Sequence, residues 1–270
     1  MCAVSIGKRF RAFYHPEVFQ GWGRHRKYFE GWYFKFVSRD KQHALALIPG
    51  IAFDESGNGH AFIQFLDGRN ATASYHTFNI EEFRADIEHF EIKIGDNVFS
   101  EHRILIDLPD IQGELTFKGN VPWPVKCYSP GIMGTFAYAP FLECYHGIVS
   151  MNHELFGTLH YGNEQVPFDG GKGYMEKDWG RSFPEAYIWM QSNHFAKDGV
   201  SIKASVARIP WVTGAFTGFI AGIWLGDRLI RFTTYNGTKL KLSEVSNEEV
   251  NLVMQNNEHE LTINAIRPLV

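Results

Sequence analysis

From Lys27 onward the chain is a procession of short extended segments: KYFEGWYFKFVS, HALALIPGIAF, GHAFIQFLDG, FEIKI, HRILIDL and GELTFKG, then HGIVSMNH, LFGTLHYG, YIWMQSNHF, VSIKASVARI, FTGFIAGIWLG, RLIRFTTYNG, TKLKLSEV, EVNLVMQ and HELTINAI. Aromatic and β-branched residues of this kind suit a pleated, half-buried surface. Turn residues such as Gly95-Asp96-Asn97 and Asn236-Gly237 separate the segments. Only Ile80 to His89 reads as a short helix. Many strands with short connections predict an all-β, antiparallel fold, a sandwich or a barrel.

A chain of 270 residues is long enough for one large β-domain or two smaller ones. The net charge of -4 gives no basic field to recruit nucleic acid, and leaves at most peripheral contact with a membrane. Three cysteines, Cys2, Cys127 and Cys144, without C-x-x-C spacing argue against a disulfide scaffold or zinc ribbon. The N-terminal MCAVSIGKRFRAFYH has no apolar h-region. The low-polarity run from Trp211 to Gly226 is shorter than the roughly 20 residues of a spanning helix. A cytoplasmic protein is expected, in which the sequons at Asn70 and Asn236 have no role and Asn236-Gly237 is a hairpin turn.

A weak internal repeat divides the chain. An aromatic strand around Trp32 precedes ALALIP and HAFIQFLDG, and another around Trp189 precedes ASVARIP and FTGFIAGIWLGD. Trp32 to Pro49 is 17 positions (49 − 32) and Trp189 to Pro210 is 21 (210 − 189). Two related β-units, residues 20–165 and 166–270 with a junction near Gln165 to Gly171, would explain this; chance similarity among apolar strands is the other account.

Several chemistries are excluded by missing motifs. There is no G-x-S-x-G elbow and no H-E-x-x-H. Gly171-Lys172 is followed by Gly173 rather than Ser or Thr, and Gly21-x-Gly23 runs into Arg26. His146, His153 and His160 recur every seven residues, an odd spacing that alternates strand faces, so they read as ordinary, partly exposed histidines. No metal and no cofactor is expected.

What remains is GYMEKDWGRSFPEAYIWMQSNHF, residues 173 to 195. In a strand, residues two apart share a face. Tyr174, Glu176 and Asp178 then oppose Met175, Lys177 and Trp179, while Tyr187, Trp189, Gln191 and Asn193 share another face. Tyr28, Glu30, Trp32 and Phe34 form a third. Converging, these faces would line one greasy pocket with a few polar handles. Taken singly, each has a plainer account: Glu176 and Asp178 solvated or capping a turn, Glu30 paired with Lys35 or Arg26, the tryptophans in a core. As a set, Gln191 and Asn193 beside Trp189 favour the pocket, because a core leaves such amides unsatisfied.

FEGWYFK (Phe29 to Lys35), YMEKDWG (Tyr174 to Gly180), Phe183-Pro184, W-x-Q-x-N at Trp189, Gln191 and Asn193, and YNG at Tyr235 to Gly237 together resemble the tocopherol cyclase-like family. The resemblance runs from about Tyr28 almost to the end of the chain. It implies two lipocalin-like antiparallel β-units packed together, related in architecture to carotenoid hydratase-like proteins, and closure of a chromanol ring on a prenylated quinol. Asp178 stands where that family commonly carries Asn, and Tyr187 where it commonly carries Trp. Relatives usually continue beyond Ile266, so the second unit is expected to lack final strands.

That chemistry needs a proton delivered to a trisubstituted alkene and attack of a phenol oxygen on the tertiary cation. The residues suit it: Glu176, Asp178 and Glu30 as candidate acids; Trp32, Tyr187 and Trp189 to stabilise the cation; Gln191 and Asn193 to hold hydroxyls; and Tyr28, Tyr174, Lys177 and Trp179 to complete the walls. The expected ligand is a hydrophobic isoprenoid or quinol. A lipocalin-type binder without chemistry is the alternative, with carboxylates paired to Lys177 or Arg181. A platform for sugars is a third reading.

Overall fold

The computed structural model describes residues 12–211 and 214–266; Cys2 and most of the stretch read above for a leader lie outside them. The chain is all-β, as its segments dictate. It forms two compact units, Met1–Phe183 and Pro184–Val270.

The first unit carries β1 (Tyr28–Val37), β2 (Ala44–Phe53), β3 (Gly59–Asp67), β4 (Thr72–Asn79), β5 (Phe83–Ala85), β6 (Glu91–Ile94), β7 (Asn97–Ser100), β8 (Arg103–Asp107), β9 (Ile111–Lys118), β10 (Cys144–Tyr161), β11 (Glu164–Pro167) and β12 (Gly171–Gly180). They make one sheet in the order β4-β3-β2-β1-β12-β10-β9-β8-β7-β6-β5, with β11 on β10. The junction expected at 165/166 thus falls inside this unit, because β12 slots between β1 and β10. The expected helix at Ile80 to His89 is a single 3-10 turn, Ile80–Glu82, after which Phe83 is buried and the chain is extended.

Antiparallel pairing fixes the faces. Trp32 lies opposite Lys177 and Phe34 opposite Met175, while Tyr33 lies opposite Glu176 and Gly31 opposite Asp178. Directly opposed residues share a face. The inner face is a packed core in which Trp32, Phe34, Phe36, Leu45, Leu47, Ile63, Phe99, Leu115 and Phe168 are joined. Each such side chain contributes about 1.5–3 kcal/mol by leaving water. Strands from both ends of the sheet feed this core, and His76 of β4 reaches Asp110 at 2.9 Å, so the sheet curls.

The strand β10 is irregular against β12, with register breaks between Ile148 and Ser150 and between Ser150 and His153. His153 lies across Gly173 on the inner side, where a Cβ would sit 2.0 Å from its Nε2. Only glycine fits there.

The second unit has β13 (Tyr187–Ser192), β14 (Ser201–Trp211), β15 (Gly214–Trp224) and β16 (Leu229–Thr233) in one sheet, and β17 (Lys239–Val245), β18 (Glu249–Gln255) and β19 (Glu260–Ile266) in another. Alternating apolar positions, among them Ala204, Val206, Phe219, Ala221, Phe232, Leu252 and Met254, form its core. Asn236-Gly237 is a turn, with Gly237 at φ +81, yet it joins β16 to β17 in different sheets rather than closing a hairpin. Among the described residues, no helix is long and apolar enough to cross a membrane.

Candidate functional site

Two polar clusters flank the β1–β12 pair, one on each face. On the inner face Glu30 and Lys177 are both fully buried, with Nζ 2.5 Å from the carboxylate. Glu30 also accepts hydrogen bonds from the Tyr28 hydroxyl (2.6 Å) and the Gln20 amide (2.8 Å). Lys177 donates to the Val18 carbonyl as well, and its ammonium sits 4.7 Å from the Trp32 ring and 4.8 Å from the Trp179 ring. The Trp32 indole N–H donates to the Glu17 carbonyl at 2.8 Å. Burial pushes the Lys177 amine below its ordinary value while Glu30 pulls it back up, and burial with the neighbouring carboxylate raises the Tyr28 hydroxyl. Glu30 is thus saturated by three donors, and the network ties the segment Glu17 to Gln20 to β1 and β12. Neither Lys35 nor Arg26 is its partner.

On the opposite face, β12 and β10 build a second cluster. The His146 ring stands between two carboxylates: Nδ1 is 2.8 Å from Asp178 Oδ1 and Nε2 is 3.5 Å from Glu176 Oε2. The Tyr174 hydroxyl donates to Glu176 Oε2 at 2.5 Å. Tyr174 is wholly buried and Glu176 is 3% exposed. Burial, reinforced by Glu176, holds the Tyr174 and Tyr33 hydroxyls protonated far above the usual range. Lys35 shares this face, directly opposite Tyr174, and burial pulls its amine down to about 8.

The expectation that all three aromatic–polar faces line one pocket is therefore corrected within the first unit. Tyr28, Glu30, Trp32 and Phe34 point to the inner side with Lys177 and Trp179, whereas Tyr174, Glu176 and Asp178 point to the other. The register is the cause: Tyr33, not Trp32, is opposite Glu176. The inner side is filled by packed rings, not open.

His146 is the group that sequence reasoning missed. As expected from the odd spacing, His153 lies on the other face; it is buried, its Nδ1 bonds Ser150 Oγ at 3.0 Å, and burial lowers it to about 3. His146 is no ordinary surface histidine, because the antiparallel register sets it opposite Asp178. Ligand atoms of His146, Glu176 and Asp178 lie within 4.8 Å of one another and could hold a metal ion. The ring's two nitrogens face different carboxylates, so an ion on Nε2 would meet Glu176 while Asp178 kept Nδ1 oriented.

Tyr187, Trp189, Gln191 and Asn193 belong to the second unit. The first three share a face of its four-stranded sheet, with Trp189 opposite Ser205 and Gln191 opposite Lys203. Lys203 is buried and its Nζ donates to Ser205 Oγ at 2.7 Å. Both amide atoms of Gln191 are buried without a hydrogen-bond partner, whereas Tyr187 is 59% exposed. Asn193, just past the strand end, is buried. Lys203 and Ser205 were also missed, hidden in an unremarkable alternating strand.

The chain is similar to known proteins in sequence and in fold. Residues 111–266 match the tocopherol cyclase-like family. A stretch of 83 residues is 31% identical to the chloroplastic tocopherol cyclase of Zea mays, covering 30% of this chain and 18% of the maize protein. The aligned part thus spans less than a fifth of that relative. Among solved structures, CghA superposes with a TM-score of 0.57 at 12% identity, covering 88% of this chain and 75% of its own. The AttH protein of Nitrosomonas europaea gives 0.53 at 12% identity, covering 86% and 78%. These two likenesses are of fold. With a family match over more than half of its length, the chain belongs to the tocopherol cyclase-like family.

Proposed function

We propose that the protein is an acid-catalysed enzyme acting on a prenylated quinol or related isoprenoid, with the proton delivered from the Glu176–His146–Asp178 cluster. The observation that carries this is the arrangement of two carboxyl groups on the two nitrogens of one part-buried imidazole, beside the wholly buried Tyr174. A proton can be held there and moved over short distances. Glu176 gives its proton to one alkene carbon, the tertiary cation forms at the other, and the phenol oxygen closes on it. Asp178 fixes the imidazole, so that Nε2 faces Glu176 and returns a proton to it. Family membership supports a cyclase-like course, and the substrate is the proposal's own.

The test is turnover of a prenylated benzoquinol by purified protein, read as chromanol by mass spectrometry. Glu176→Gln should lower the rate by about 10²–10⁴-fold, the usual worth of a general acid, with circular dichroism unchanged. An unaltered rate removes Glu176 from the mechanism. Loss of turnover on chelation, restored by a divalent ion, would favour a metal at the same three residues. A second reading, a binder without chemistry, draws on the permanently paired Glu30 and Lys177. It predicts quinol uptake with no product.

A further inference from the structure

Lys35 is the titratable group that neither the fold nor the proposed acid uses. It lies on β1, on the face of Tyr33, opposite Tyr174 of β12 and Ala46 of β2. Glu176 is the diagonal neighbour two residues along β12, a position at which residues stand roughly 7–8 Å apart. Glu30, the acid that adjacency would offer it, points to the other face and is taken by Lys177. Among the described residues nothing pairs with the Lys35 amine. An unpaired, part-buried ammonium is costly, and such a group on the same strand face as Glu176 and Asp178 is a mark of function.

Resting on the reading of Glu176 as the acid, we propose that Lys35 is the base of the same site and takes the phenol proton as the oxygen closes on the tertiary cation. The balance is simple. Glu176 loses a proton to the alkene carbon, the new carbon–oxygen bond leaves a protonated ether, and the neutral amine accepts that proton. The enzyme ends with a carboxylate and an ammonium, reset by one proton released to water and one regained. The two hydroxyls beside it, Tyr33 and Tyr174, are held protonated and cannot serve. The lysine can, because burial lowers its amine to about 8 and so brings the neutral form within reach.

The experiment uses the full chain with ¹⁵N-labelled lysine, Lys35 being assigned by its loss in Lys35→Met. Its amine should titrate near 8 and shift on addition of trimethylhydroquinone. An ordinary lysine value with no shift overturns the inference, whether or not the protein turns over a quinol. In the kinetic arm, Lys35→Met should lower kcat at least 100-fold, flatten the rise in rate through pH 8, and be partly rescued by methylamine. Lys35→Arg, folded but unable to give up its proton, should remain as slow. A wild-type rate and pH profile in Lys35→Met beside an inactive Glu176→Gln would sink the base and spare the acid. If both variants retain full activity, the whole assignment of this face falls.

Discussion

At the scale of single residues, the sequence shows which side chains share a strand face but not what lies across from them. Tyr174, Glu176 and Asp178 were legible as one face because alternation is local. His146 was not, since its partner Asp178 is 32 positions away and only the register brings them together. The partner of Glu30 was illegible for the same reason: it is neither Lys35 nor Arg26 but Lys177, 147 positions further on (177 − 30). Lys35 carries a consequence for stability. Its folded value of about 8 lies below the ordinary 10.5, so the unfolded chain binds more protons between those values. Stability therefore rises with pH across that window, and the penalty is fully present below pH 8. Lys35→Met should stabilise the protein at pH 7 by on the order of 2 kcal/mol, an advantage that fades towards pH 10.5. Urea melts of both proteins across that range are the measurement, and a constant difference would contradict the account.

At the scale of elements, most strands were readable, though β4, β5, β7 and β11 were not, and strand neighbourhood was not legible at all. YMEKDWG reads as a strand from its alternation, yet nothing local says that it will pair with β1 on one side and β10 on the other. That insertion creates the inner Glu30–Lys177 pair, which pins Val18 and Gln20 against β1 and β12. Breaking one partner of a buried pair leaves the other charge uncompensated, which costs about 3–5 kcal/mol. Glu30→Gln should lose stability of that order in a denaturant titration, and the double variant Glu30→Gln, Lys177→Met should recover most of it. If the single variant changes stability by less than about 1 kcal/mol, the pair is not the latch described.

At the scale of the whole molecule, the all-β class followed from composition and turn spacing, while the division of the chain did not. The internal repeat suggested a boundary near residue 165, but the first unit extends through Phe183 because its sheet needs β12. The carboxylate cluster thus belongs wholly to the first unit, and Trp189, Gln191 and Asn193 to the second. In the proposed reaction the first of these hands a proton to carbon, and this step can be tested by itself. Its most direct test is turnover of a prenylated benzoquinol in D₂O, with the product read by mass spectrometry and NMR. One deuterium should appear per molecule at the former alkene carbon, and Glu176→Gln should form that product about 10²–10⁴-fold more slowly. A product without carbon-bound deuterium, or one formed equally fast by Glu176→Gln, would contradict it.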